Sequence, residues 1–221
     1  MAYPTIDKPY GLKPINLIGG QVFAGATRQI KIASAYNTDI FYGDVVRVSS
    51  DGVLVKETGT TSVTATGVVG VFMGVQFTNP STKQIQFQQF WPAGTVAADA
   101  LAFVADDPDQ LFKVAAVSSG TTVAFYGRTV VGTNVALVQN SGSTVTGNSA
   151  IGIDGSSAAT TASLPIRIVD VVPDTANAAG NFCEFIVKWN APHLAVTTSI
   201  EGNVTAVAMA GGHQYLNPTG V

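Results

Sequence analysis

Charge is scarce in this chain: Asp, Glu, Lys and Arg make up 11% of 221 residues, against about 25% in an average globular protein. That excludes a coiled coil and a charged disordered tail. The surface must instead be built from Thr, Ser, Asn, Gln and Ala, or be covered by other subunits. Eleven basic residues against 14 acidic ones leave a net charge of −3. No Lys/Arg cluster is present to release phosphate counterions, so no nucleic-acid partner is expected.

Cysteine and histidine are nearly missing. The single cysteine, Cys183, excludes an internal disulfide, and its place in the apolar run 182–189 reads as a small buried hydrophobe. His193 and His213 are the two histidines, and neither has a partner at metal-ligand spacing, so no metal is expected. No stretch approaches the roughly 18 uninterrupted apolar residues of a membrane span, so no membrane partner is expected. The opening MAYPTIDKPYGLKP lacks a basic region followed by an apolar one, and no export signal is expected.

The motifs of catalysis fail in turn. Residues 147–152, GNSAIG, hold one residue too many before the last Gly for a nucleophile elbow and lie in low-complexity sequence. Gly67, Gly70 and Gly74 match no dinucleotide fingerprint, and no phosphate-binding loop is present. The turn at Asp106, Asp107, Pro108 and Asp109 lacks the spacing of a calcium loop. Asp44, Asp99, Asp154, Asp170, Glu184 and Glu201 offer carboxylates for glycoside chemistry, but each is as readily a turn or rim residue. Trp91, Trp189, Phe90, Phe182 and Phe185 are more simply core than a sugar platform. No catalytic residue, cofactor or enzyme activity is expected.

What is present is strand pattern at short, regular spacing. Gln84 to Gln88 alternates polar and apolar, placing Ile85 and Phe87 on one face and three glutamines on the other. Tyr42 to Ser49, then Asp51-Gly52, then Val53 to Val55 reads as a hairpin, because Asp-Gly supplies positive φ. Val68 to Gln76 carries Gly70 and Gly74 and reads as a bent strand. Leu101 to Val104, Leu111 to Val117, Val123 to Tyr126, Val135 to Val138, Ile166 to Val172 and Phe182 to Trp189 continue the series. The expected fold is all-β, with small β-barrel or β-sandwich units, an extended N-terminal arm and little helix.

A weak internal parallel divides the body. Val68 to Gln76, a Pro80 turn and Ile85 to Trp91-Pro92 resemble Ile166 to Val172, a Pro173 turn and Phe182 to Trp189 followed by Pro192. Residues 1–35 are expected as the arm, 36–117 as a first β-unit, 118–195 as a second and 196–221 as a C-terminal tail. Residues 139–163, rich in Gly, Ser, Thr and Ala, are expected as a long exposed loop or hairpin, since they bury little against their ordering entropy.

Tyr10-Gly11-Leu12-Lys13-Pro14-Ile15 with Gly19-Gly20, Ile40 to Val46, Phe90-Trp91-Pro92-Ala93-Gly94, Asp107 to Phe112, and Tyr215 to Gly220 together resemble a family of virion structural proteins of tailed bacteriophages, chiefly of aquatic bacteria. Within that group the chain is most similar to capsid decoration, or cement, proteins. The resemblance implies a homotrimer on the capsid exterior whose partners are the major capsid protein and its own copies. It also implies capsid stabilisation by bridging shell subunits, with at most a weak contact to host-surface glycans.

On this reading the arm carries the contact, through Tyr3, Tyr10, Leu12, Pro14, Ile15, Leu17 and Ile18. Several hundred Å2 of buried apolar surface would contribute on the order of 10 kcal/mol before ordering costs. A tail tube, neck or head-fibre component, or a glycan-binding surface module, is the alternative.

Overall fold

The computed structural model describes residues 8–63, 67–175, 183–190, 195–198, 204–207 and 212–216. The chain is nearly all β, and its helical content among the described residues is two single 3-10 turns, Arg128–Val130 and Gln214–Leu216.

The first unit is built from β2 (Arg28–Lys31), β3 (Ile40–Phe41), β4 (Val45–Val48), β5 (Leu54–Lys56), β6 (Gly70–Thr78), β7 (Ile85–Gln88), β8 (Phe90–Trp91) and β9 (Leu101–Ala105), which follow β1 (Lys13–Leu17) in the chain. Its main sheet runs β2-β9-β6-β4-β5, with β7 also on β6. A bridge from Ile32 to Leu54 links the two ends of that order and curls the sheet on itself. Inside lie Ile32, Ile40, Val46, Leu54, Phe72, Val75, Trp91 and Val104, all buried. The Asp-Gly hairpin forms as its sequence dictates: Ser49 N–H donates to Val53 O at 2.9 Å, and Gly52 sits at φ 72°.

Strand β6 is the bent element. Its pairing with β9 shifts register between Phe72 and Gly74. A side chain at Gly70 would put its Cβ 2.1 Å from the Ala105 carbonyl, so glycine is required where the two backbones cross.

The second unit closes completely. It comprises β10 (Gln110–Ser119), β11 (Thr122–Val123), β12 (Asn134–Val138), β13 (Gly152–Ala159), β14 (Ile166–Val171) and β15 (Glu184–Trp189). The order β10-β13-β12-β14-β15 returns to β10 through a direct β10–β15 ladder, giving a five-stranded barrel. Where composition left barrel and sandwich open, the second unit is thus a barrel. β10 and β13 run parallel. Phe112, Val114, Ile153, Ile168, Phe185 and Trp189 fill the interior, and Val45, Val68 and Val71 of the first unit join the same cluster. Two further strands, β16 (Ala195–Thr198) and β17 (Val204–Val207), pair with each other.

Each unit holds one buried tryptophan against a phenylalanine edge. Trp91 meets Phe77 at 5.5 Å between ring centroids, and Trp189 meets Phe112 at 5.3 Å. The two contacts are built differently, since Phe77 lies on β6 of the same hairpin as the Trp91 segment whereas Phe112 lies on β10, outside the 166–189 half of the sequence parallel.

Three boundaries differ from the sequence expectation. β10 belongs to the second unit and not to 36–117: the turn at 106–109 passes the chain from one unit to the other. β2 lies within the expected arm yet pairs with β9 over four residues. Residues 139–163 are not one exposed loop, because β13 starts there and Ser149, Ala150, Ile151 and Ile153 are buried. Small residues are what that strand needs: a side chain at Gly155 would put its Cβ 2.2 Å from the Tyr126 ring.

Strand β7 also turns over. Ile85 and Phe87 are 64% and 71% exposed, while the alternate residues Gln86 and Gln88 are half-buried. Period two was legible there, but which face meets the core was not.

Candidate functional site

The described residues among the predicted contacts, Tyr10 to Ile18, lie along one path. β1 pairs with β10, Lys13 opposite Lys113 and Pro14 opposite Phe112. Just before it, Leu12 N–H donates to Gly43 O and Gly11 N–H to Ile151 O, both at 3.0 Å. Gly11 adopts φ 83°, and a Cβ there would lie 2.8 Å from Gly43 O. Glycine at this position lets the entering chain pass between the two units.

Tyr10 is fixed from three sides. Its hydroxyl donates to Glu184 Oε1, Lys113 Nζ pairs with the same oxygen at 3.3 Å, and Lys13 Nζ lies 4.4 Å from the ring centroid. Burial, and then the hydrogen bond to Glu184, push the Tyr10 phenol well above its ordinary range. The phenol is thus a permanent donor. Leu12 is fully buried in the barrel core.

Leu12 therefore belongs to the chain's own interior and has no surface to offer a neighbour, which corrects its assignment as a contact residue. Tyr10 is likewise tied inward by its hydroxyl. Tyr3 lies outside the described residues. Pro14, Ile15 and Leu17 are half-buried along β1, and Ile18 is 49% exposed.

Beyond Leu17 the chain turns back on itself. Gly20 N–H donates to Leu17 O and Leu17 N–H to Gln21 O, each at 2.9 Å, and Phe23 N–H donates to Ile15 O at 3.3 Å. Asn16 bridges Val22. The result is a small hairpin with an apolar tip, at which Ile18 is joined by Val22, 76% exposed. Residues 19–29 are exposed at every position except Phe23. Sequence reasoning missed Val22; its signal was the Gly19-Gly20 pair between two apolar residues, a turn dipeptide.

A second polar centre sits where the units meet. Asp44 is fully buried; its carboxylate accepts from Ser149 Oγ at 2.6 Å and from Phe41 N–H at 2.9 Å, and pairs with Lys56 Nζ at 2.7 Å. Ser149 Oγ in turn accepts from Ile151 N–H at 3.0 Å. Beside this centre opens a cleft of about 450 Å3, lined by Thr38, Asp39, Phe41, Lys56 and residues 141–144.

The remaining candidates are dispersed. Asp99 accepts from the Thr78 hydroxyl, Asp154 from Ser156, and Asp170 pairs with Arg128; Glu201 lies outside the described residues. Trp91, Trp189 and Phe185 are buried and Phe90 is half-buried, whereas Phe182 is not described. Burial pushes the Cys183 thiol up, which keeps it protonated. His193 falls outside the described residues. His213 is buried, and its Nδ1 accepts from Tyr215 N–H at 3.3 Å. In the turn at 106–109, Asp106 pairs with Arg28 at 2.6 Å and Asp107 accepts from Asp109 N–H at 2.8 Å.

Among the described residues no three His, Cys, Asp or Glu side chains gather as a metal-holding group, and no helix is long and apolar enough to cross a membrane. No protein-family model, curated protein or solved structure matches the chain.

Proposed function

We propose that this protein is a structural virion component that seats, as a trimer, on the outside of a phage capsid and stabilises the shell by bridging major capsid subunits. The motifs from Tyr10 to Gly20, Ile40 to Val46 and Phe90 to Gly94 support it by their resemblance to decoration proteins. The observation that carries it is the hairpin tip. Ile18 and Val22 stand exposed at 49% and 76% on a hairpin whose base is bonded into the closed barrel.

That arrangement suits a clamp. The base is rigid, so little ordering entropy is lost when the tip is covered. Each 100 Å2 of apolar surface buried contributes about 2.5 kcal/mol, and a trimer repeats the contact three times on one support. A surface with few charges lets neutral β-bodies pack side by side without strong repulsion.

The test uses capsids stripped of the protein. Wild-type chains bind them saturably and raise their melting temperature, while an Ile18→Asp/Val22→Asp variant with an unchanged melting temperature of its own loses both effects. A wild-type chain that leaves shells unbound, or that forms hexameric rings, overturns the reading; rings would favour a tail component.

A further inference from the structure

We infer that β7 is a homotypic contact: two copies of this chain join by antiparallel pairing of their β7 edges about a two-fold axis at Gln86. This inference is independent of the capsid reading.

The main-chain groups of β7 are half used. The strand pairs with β6 alone among the described strands, with Phe77 opposite Gln86 and Val75 opposite Gln88. Gln84 O accepts from Asn79 N–H at 2.9 Å, so the backbone of Gln84 faces β6. In an antiparallel ladder the direction alternates along the strand. Gln86 and Gln88 therefore also bond inward, and the N–H and C=O groups of Ile85 and Phe87 point to the open edge.

Soluble proteins blunt such edges with Lys, Pro, bulges or shortness. This one carries no such protection beyond its length. Residues 84–91, QIQFQQFW, contain no charge and no proline, and the outward face bears Ile85 and Phe87, exposed at 64% and 71%. Phe87 stacks on Phe103 of β9 at 6.5 Å, so the apolar surface continues across the sheet.

The edge is complementary to itself, which is the argument for a second copy as its occupant. A two-fold axis at Gln86 sets Ile85 opposite Phe87, Phe87 opposite Ile85, and Gln84 opposite Gln88. Apolar residues meet apolar ones on the outward face and amides meet amides on the other. Lys83, the nearest charge, falls opposite Gln89 and not opposite its own copy, so nothing repels. Ile85 and Phe87 then exchange two backbone hydrogen bonds at each of two equivalent positions, and Gln86 faces Gln86 in a close, non-hydrogen-bonded pair. An axis shifted to Phe87 would instead set Ile85 against Gln89.

The contact is short. It lies below the roughly 1,200 Å2 of a standard stable interface, so association depends on concentration and strengthens when copies are already held close together.

Oxidative cross-linking of variants that each add one cysteine tests it in the full chain. The wild type, whose Cys183 is buried, is the background. Gln86→Cys gives a reducible dimer on oxidation, because facing residues of a non-hydrogen-bonded pair meet disulfide geometry. Gln84→Cys and Gln88→Cys cross-link when mixed and not alone. In sedimentation, Phe87→Lys lowers the mass reached at high concentration and keeps the wild-type melting temperature, since that side chain is exposed. A Gln86→Cys chain that stays uncross-linked, or an association that Phe87→Lys leaves unchanged, overturns the inference.

Discussion

Ser149 and Asp44, 105 residues apart in the chain, are joined by a 2.6 Å hydrogen bond from Ser149 Oγ to the buried Asp44 carboxylate. One residue precedes β4 of the first unit and the other precedes β13 of the second. With Lys56 Nζ on the second carboxylate oxygen, this bond ties the two units through a charged contact whose Asp44 carboxylate is fully buried. Such a pair adds little net stability over an apolar filling, yet removing one partner leaves the other charge stranded. Asp44→Ala is expected to cost about 3–5 kcal/mol in urea unfolding and Ser149→Ala about 1–3 kcal/mol. Lys56→Met placed on Asp44→Ala should recover part of the loss.

Leu12 and Ile18, six positions apart, serve opposite ends. Leu12 is fully buried and Ile18 is 49% exposed. Leu12→Ala is expected to lower stability by about 2–5 kcal/mol through the cavity it opens, whereas Ile18→Asp should change it by no more than about 0.5 kcal/mol. Deleting residues 2–20 removes β1 and a core leucine together. That deletion should yield a chain that unfolds at lower denaturant with reduced amide protection in β10, so it cannot separate binding from folding. Thermal melts of the three variants side by side check this.

The two tryptophans are sealed at 0% and 1% exposure, which leaves no face on which a sugar ring could stack. Their fluorescence should be blue-shifted and insensitive to iodide until the protein unfolds. Trp189→Ala is expected to cost about 3–5 kcal/mol. Quenching of native fluorescence by iodide would contradict the buried placement.

Period two was legible almost everywhere, and so was the Asp-Gly turn, because both depend on neighbours within a few residues. What pairs with what was less so. The Pro and carboxylates of 106–109 read as a turn, and only the ladders of β10 with β1, β13 and β15 reveal that it crosses between units. The Gly/Ser/Thr/Ala-rich stretch 139–163 looked too small to be core, yet at Gly152 and Gly155 smallness is what packing against Val117 and Tyr126 demands. In the arm, an apolar and Pro-rich composition gave no way to tell Leu12, which faces inward, from Ile18, which faces out. Pairing partners on β10, 90 to 100 residues away along the chain, decide that difference, and no local rule carries them.

The C-terminal segment supplies the last prediction, a pH dependence. His213 bridges Val68, and the Gln214 side chain completes the docking, accepting from Val48 N–H at 2.7 Å and donating to Val48 O at 2.9 Å. Burial is the main cause that holds the His213 imidazole below its ordinary pKa, opposed by backbone hydrogen bonds at Val69 and Asp106 and by the charges of Asp106 and Asp107. Arg28 reaches the same corner, pairing with Asp106 and lying over the Tyr215 ring. An unfolded histidine takes up its proton as pH falls through about 6.5, while the folded one takes it up only at lower pH. Between those points the unfolded state binds more protons, so stability declines with acidification and levels off once the folded imidazole is charged. Thermal melts between pH 8 and pH 5 should therefore show a fall that His213→Gln reduces. Hydrogen exchange should show the Gln214 amide, which donates to Val68 O, losing protection over the same interval. A wild type and a His213→Gln variant with identical pH profiles would mean that the imidazole meets its proton equally in both states.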